Sequence, residues 1–332
     1  MTEDENIQVF KKYSMLTGPA ALGILTLTSP LISEMSYSMQ AIPFIASLIL
    51  LGLPHGAMDH LVPSKLSNMS EKKGIAAVSL LYLVIGGIYT VSWLFLPLLS
   101  AGFFILLTWI HWGQGDLYAM RKFHSGEEYR EKFPALISAT IRGGIPMFVP
   151  LAFHPDLYIN FMKSMEALFA SNTASYSILY SWQIKAAIIS VVAILSASMS
   201  IYMYIKNDRL PIYGLSEIIV LVAFFVALPP IFAVGIYFCL WHSLRHLTRL
   251  SLLPGDSRQA ICAKNLGRYI WDMTKNTLPL TLISILMLAI AALFMDTASQ
   301  SSLLALYLVF ISVLTLPHTI VVSWMDSIQY KS

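Results

Sequence analysis

Five histidines lie inside or at the very ends of strongly apolar segments: His55, His111, His242, His246 and His318. A neutral imidazole ligates transition metals through either ring nitrogen, and a polar side chain within a bilayer is costly unless it faces a partner or a cavity. The group therefore reads as a buried functional site, with metal binding as its most direct chemistry. His242 and His246, in WHSLRH, are four residues apart; on a helix they project from one face about one turn apart, suited to chelating one metal. His55 and Asp59, in LPHGAMDH, have the same separation, so Asp59 can bind metal or hold a histidine's second nitrogen. His60 follows and points elsewhere. His111 opens HWGQGD, where Gly113 and Gly115 permit close helix approach and Asp116 adds a second carboxylate at the membrane boundary. Leu-Pro-His recurs at Leu316-Pro317-His318, and the proline frees a backbone carbonyl and favours a kink beside the site. Imidazole suits iron, zinc, copper and nickel alike. A cavity inside a bilayer favours a lipid-soluble substrate arriving laterally, which tilts the reading from hydrolysis by zinc toward oxidation by iron.

The elements that must position these side chains are membrane helices. The 332 residues are 57% hydrophobic and only 12% charged, with a mean hydropathy of +0.69, whereas soluble domains carry about 25% charge. The reading is an all-α integral membrane protein, a single polytopic domain over residues 1–332. A scattered net charge of +3 argues for neither nucleic-acid binding nor a basic membrane-surface patch. Cys239 and Cys262 form neither a CxxC pair nor a disulfide framework. The N-terminus, acidic before it is basic and without a small-residue cleavage site, argues against a removed signal peptide. Runs of roughly 20 apolar residues predict about ten helices, at 13–32, 38–58, 74–97, 100–119, 134–153, 183–205, 213–229, 230–248, 277–296 and 302–325. Only Pro229-Pro230 separates the seventh from the eighth. Residues 155–182, with Met162, Met165, Leu168 and Phe169 at near-helical spacing, predict an interfacial helix plus loop.

Lysine and arginine orient this bundle, because cytoplasmic loops carry an excess of them. Lys11 and Lys12 precede the first helix; Lys65, Lys72 and Lys73 follow the second, and Arg121, Lys122, Arg130 and Lys132 the fourth. Lys206 and Arg209 follow the sixth; Arg245, at the C-terminal end of the eighth, is counted with Arg249, Arg258, Lys264, Arg268 and Lys275 beyond it. Loops after odd helices hold only Lys163 and the boundary residue Lys185. Both termini are expected in the cytoplasm, and Arg142 alone falls inside a span. The histidine-bearing helices, the second, fourth, eighth and tenth, then all run the same way. Each histidine sits in the C-terminal half of its helix, so all five share the cytoplasmic leaflet and can converge.

Plainer readings stand beside this one. A lone histidine at a helix end is ordinarily interfacial, and HxxxH arises by chance. His124 and His154 fall in predicted loops and are expected to be solvated side chains. Trp109, Trp112, Tyr237, Phe238, Trp241 and Trp324 surround the histidines in sequence; an aromatic belt accounts for such residues, and they are also candidate walls for an apolar substrate.

At these residues the chain resembles the Brp/Blh family of membrane β-carotene cleavage dioxygenases. The resemblance rests on LPHGAMDH (53–60), HWGQGD (111–116), WHSLRH (241–246) and LPH (316–318), four motifs in order over most of the chain. It implies non-haem Fe(2+) held by four histidines, carried over to His55, His111, His242 and His246. Asp59, His60, Asp116 and His318 are left as supporting candidates. It implies cleavage of the central double bond of β-carotene by dioxygen into two all-trans-retinal molecules, in a multi-pass cell-membrane protein, with hand-over of retinal to a rhodopsin. Two rivals come from other classes. A membrane di-iron desaturase or hydroxylase needs ligands for two metals, more than the well-placed histidines supply. A histidine-lined metal or proton transporter predicts polar residues continuing across the bilayer, where the sequence gathers them in one leaflet. A bis-histidine haem site from His55 and His111 leaves WHSLRH unexplained.

Overall fold

A backbone with no water to bond must satisfy its own N–H and C=O groups, and a helix does so locally. The computed structural model describes residues 2–124, 127–207, 210–295 and 299–330, and among these there are helices and turns but no strand. Helix α1 (Glu3–Leu27) starts well before residue 13. Thr2 and Glu5 form a capping box, and Glu3, Asp4 and Glu5 place negative charge at the positive end of the helix. Then follow α2 (Tyr37–Leu66), α3 (Glu71–Phe95), α4 (Pro97–Lys122), α5 (Lys132–Phe153) and α6 (Pro155–Ala167). They are succeeded by α7 (Trp182–Asn207), α8 (Ile212–Ala227), α9 (residues 230–251), α10 (Asp256–Cys262), α11 (Leu266–Phe294) and α12 (Gln300–Gln329). Arg209 and residue 296, used in the loop count and the ninth predicted helix, lie outside the described residues.

The runs 213–229 and 230–248 are separate helices. Leu228, preceding a proline, is driven to an extended conformation (φ −116°, ψ 146°), and α9 restarts at Pro230. Among the described residues, six helices are long and apolar enough to cross a membrane: α2, α3, α5, α7, α11 and α12. The other apolar runs fall short of that description for physical reasons. Helix α1 opens on charge, α8 has 16 residues, and α4 and α9 end on polar residues that turn inward. Helices α7 and α11 are the most exposed of the six; rows of leucine and isoleucine such as Ile189, Ile194, Leu282 and Leu286 face outward, the surface that lipid covers.

Helix α6 occupies the expected interfacial stretch, but Met162 and Met165 are buried in the protein rather than laid on a surface. Helices α4 and α5 cross at backbone contact. A Cβ on Gly113 would stand 2.1 Å from the Ala139 carbonyl oxygen, so the anticipated close approach falls at Gly113, while Gly115 faces the His242 ring at an ordinary 3.5 Å. Gly113→Ala is expected to force the two helices apart at a cost of ~1–3 kcal/mol, the scale of overpacking, read as a lower unfolding temperature in detergent.

The charges buried between these helices were only partly foreseeable. Arg142 is fully buried, with Nη1 donating to Asp116 Oδ2 at 2.9 Å and to Glu217 Oε2 at 2.7 Å. Arg245 pairs with the same two carboxylates. Two cations and two anions thus neutralise one another, which is what permits charge in a low-dielectric interior. Arg245 and Arg249, counted above as cytoplasmic loop charges, are buried, and Arg249 pairs with Asp326 of α12 at 2.6 Å. The chain stays helical to Ser251 and carries both guanidiniums back into the protein. Their value for orientation is correspondingly less.

Candidate metal centre

Two of the histidine-bearing segments are distorted at the histidines themselves. A π turn at Leu48–Gly52 precedes His55 in α2, and a second at Phe238–Ser243 contains His242 in α9. Inserted π turns rotate the side chains that follow and concentrate at functional sites. The two distorted segments press together at Gly52, where a Cβ would stand 2.7 Å from Phe238 Cε1 and 2.5 Å from the Ser47 carbonyl oxygen. Only a glycine lets α2 and α9 approach this closely.

The result is a cluster of five buried imidazoles. The His55 ring centroid lies 5.5 Å from those of His242 and His246 and 5.0 Å from that of His318. His111 lies 4.9 Å from His242 and 4.8 Å from His318, and His246 lies 5.1 Å from His318. One ligating nitrogen each from His55, His111 and His318 fall within 4.8 Å of one another, as do ligating atoms of Asp59, His246 and His318. Nitrogens on opposite sides of one ion, at roughly 2.1 Å each, stand about 4.2 Å apart. Small side-chain rotations therefore bring such a set onto a single ion. His318, which the sequence reading left as a supporting candidate, belongs to both groups.

Hydrogen bonding leaves the nitrogens free for such a role. His55 Nδ1 donates to the Leu51 carbonyl at 3.2 Å, and His318 Nδ1 donates to Asp59 Oδ2 at 2.8 Å. Each proton is thereby fixed on Nδ1 and the lone pair on Nε2. Nε2 of His242, His246 and His318 and both nitrogens of His111 are buried without a hydrogen-bond partner among the described residues. A buried unpaired polar atom ordinarily costs ~1–3 kcal/mol, and four imidazoles orphaned on one another's flank are the donor set a bound metal would satisfy. These residues fit a histidine-bound transition metal.

Asp59 holds one of those imidazoles and is itself held, since Tyr82 Oη of α3 donates to its Oδ2 at 2.6 Å. The carboxylate–imidazole–metal arrangement fixes ring orientation and raises ligand basicity. Tyr82 was not singled out in the sequence; nothing in its surroundings distinguishes it from other membrane tyrosines. Asp116 lies elsewhere. Its carboxylate is taken by Arg142, Arg245 and Trp241 Nε1, the last at 2.8 Å. It thereby anchors α4 to α9, with no hydrogen bond to a histidine. Glu217 completes that anchor and was overlooked, although a glutamate inside the apolar run 213–229 was a visible signal. His60 Nδ1 donates to the Ala57 carbonyl at 2.7 Å and its ring lines the cavity.

The two loop histidines divide. His124 is exposed and stacks on Tyr213 at 3.8 Å. His154 is not simply solvated: half-buried, it donates from Nε2 to the Val226 carbonyl at 3.0 Å, satisfying an orphan oxygen at the C-terminus of α8.

His55, His111, His242 and His318 form one wall of an apolar cavity of about 480 Å³, whose other walls come from α3, α11 and α12. Trp112 and Phe238 line it, whereas Tyr237 and Trp241 are core residues and Trp109 donates to the Thr140 carbonyl at 2.8 Å. A metal held here would face a hydrophobic substrate, sheltered from water.

The family model described as beta-carotene 15,15'-dioxygenase matches residues 46–326, a span that contains every histidine of the cluster. The chain is 33% identical over 328 residues to the probable beta-carotene 15,15'-dioxygenase Blh of Halobacterium salinarum, covering 95% of this chain and 93% of that protein. It is 23% identical over 308 residues to the probable beta-carotene 15,15'-dioxygenase Brp of the same organism, covering 87% and 84%. A shorter match, 33% over 76 residues, is to a beta-carotene 15,15'-dioxygenase of an uncultured marine bacterium, covering 23% of this chain and 28% of that one. No solved structure matches.

Proposed function

This chain belongs to the beta-carotene 15,15'-dioxygenase family, and from that premise we propose that His55, His111, His242 and His246 hold a ferrous iron, with His318 beside them, for the oxidative cleavage of β-carotene. The observation that carries the reading is the convergence of buried, hydrogen-bond-free imidazole nitrogens on the wall of an apolar cavity. The reaction breaks the central carbon–carbon double bond and the dioxygen bond and forms two carbonyls, one on each retinal, so no external reductant is required. Iron, when bound, supplies the electrons and open positions that let dioxygen react with an otherwise inert polyene.

The chain's own residues do the rest. Leu51 and Asp59 hold the protons of His55 and His318 on Nδ1, which keeps Nε2 as the donor atom. Tyr82 braces Asp59, and the Asp116–Arg142–Glu217–Arg245 cluster locks α9 against α4 so that His242 faces His111. Apolar walls exclude water and offer a hydrocarbon substrate a surface without unpaired polar demands. Retinal leaves into the bilayer, where a rhodopsin is the acceptor we propose. We place the protein in the cell membrane with ten crossings and both termini cytoplasmic, a reading supported by the loop charges that remain outside the fold. A di-iron oxygenase is not favoured, because the two candidate ligand groups among the described residues, His55–His111–His318 and Asp59–His246–His318, share His318 and so do not make two separate metal sites.

Expression in cells that accumulate β-carotene tests this function. Retinal should appear and the orange colour fade, with about one iron per chain by metal analysis. Persistent colour without retinal, the protein being present and iron and oxygen supplied, would overturn it. Asp59→Asn should keep the fold but lower iron affinity or turnover by about 10–100-fold, the usual effect of removing a carboxylate behind a metal-bound histidine. Iron retained after dialysis against a chelator is the measurement.

A further inference from the structure

The histidine cavity is open to the side. Leu83 and Gly87 of α3 and Ile283 and Met287 of α11 line it, yet Leu83 is 74% exposed, Ile283 52% and Met287 53%. A Cβ on Gly87 would meet nothing within 4 Å. Residues that both wall a cavity and face the exterior mark its mouth. Here the mouth lies between two membrane-length helices, so it opens on lipid rather than on water.

A second cavity, about 120 Å³, lies behind the first. Phe104, Thr108, Trp112, Phe238 and Ile311 line both cavities and mark where the two adjoin. The inner cavity is closed by Met147 of α5, Met162 and Met165 of α6, Val234 of α9 and Leu308 of α12. Methionine side chains are flexible and polarisable, and such walls reshape around an apolar guest. Nothing in the metal site needs this inner cavity, and it accounts for why α6 turns its methionines inward instead of lying on the surface.

We propose that one carotenoid occupies both cavities at once, entering from the membrane between α3 and α11 and seating its leading half in the inner cavity. The inference rests on the cleavage reading above. Cutting a symmetric polyene into two equal aldehydes requires equal lengths of chain on the two sides of the metal-facing nitrogens. The outer cavity, which holds those nitrogens, provides for the trailing half and the way in. The inner cavity continues beyond the junction lined by Trp112 and Phe238, and each of these rings packs on His242. The depth of the inner cavity then acts as a stop that sets which double bond lies at the iron.

The test uses purified full-length protein with β-carotene carried in lipid vesicles, scoring rate and the lengths of both aldehydes. The wild type should give retinal alone. Met165→Trp, which fills the inner cavity, should slow cleavage by about tenfold or more through misplacement of the scissile bond and shift the products toward an unequal pair. Leu308→Phe, a milder filling, should move both readouts the same way. Gly87→Trp should slow cleavage without changing product lengths, because it narrows the mouth and not the stop. In all three, iron content and the spectrum of the ferrous–nitric oxide adduct should match wild type. Iron-replete Met165→Trp and Leu308→Phe proteins that make only retinal at the wild-type rate would overturn the inner site, and an unimpaired Gly87→Trp would overturn the entrance. Absence of retinal from the wild type would reject the cleavage reading itself, and the path with it.

Discussion

His246→Ala is expected to abolish retinal formation and to strip the protein of iron. The ring is buried, Nε2 has no hydrogen-bond partner, and a ligating atom lies within 4.8 Å of those of Asp59 and His318. Removing a supporting group behind a ligand ordinarily costs about 10–100-fold, so removing a ligand should cost more than that upper figure. His55→Ala, His111→Ala and His242→Ala should behave alike, since each ring centroid lies within 5.5 Å of those of two or more of the others. The cavity left by any one of them is small, and the helices should remain folded. His124→Ala serves as the contrast: exposed and stacked on Tyr213, it should retain iron and wild-type turnover. Retinal yield and metal content measured together decide the matter. An iron-replete, fully active His242→Ala protein would remove the proposed four-histidine site.

Arg142→Met should produce the largest loss of stability. The guanidinium is completely buried and donates to Asp116, Glu217 and the Gly214 carbonyl. Without it two carboxylates share the single cation Arg245 in a medium of low dielectric. Breaking a buried pair by removing one partner costs about 3–5 kcal/mol, mainly because a charge is left uncompensated. The same loss should loosen α5 against α4 and α8, and by unbalancing the charge on Asp116 and Glu217 should blur the alignment of His111 with His242. Thermal unfolding in detergent reads the stability and bound iron reads the alignment. Adding Glu217→Gln should recover part of the loss, since one anion then faces one cation. A double variant less stable than Arg142→Met alone would show that charge balance is not the reason.

Much of the site was legible in the chain because its constraints are chemical and local. An imidazole in an apolar run is hard to keep unless it has work to do, and five of them, expected on helices of one direction, left few places for them to meet. Helix runs, the break at Pro229, the close approach at Gly113 and the four motifs all follow from residue types a few positions apart. His318 was legible as a neighbour but not as the imidazole common to both candidate ligand groups, because its place depends on Asp59, 259 residues away. Asp116 shows the same limit from the other side. Its position in HWGQGD suggested a histidine partner, yet Trp241, Arg142 and Arg245 take it, and only the packing of α4, α5, α8 and α9 brings them together.

Arg245 and Arg249 were misplaced because positive charge near a helix end looks the same in sequence whether it is solvated or folded back onto a carboxylate. The π turns left no sequence signal; the contact of α2 with α9 at Gly52 accompanies them. The sequence by itself therefore determined the membrane-helical class, the family and the histidines that are candidates for a metal site, since burial cost and ligand chemistry belong to residue type. Tertiary structure alone decided which histidines lie together, that Asp59 holds His318, and where the cavities run. Those outcomes are sums of contacts between helices far apart in the chain, and no local pattern contains them.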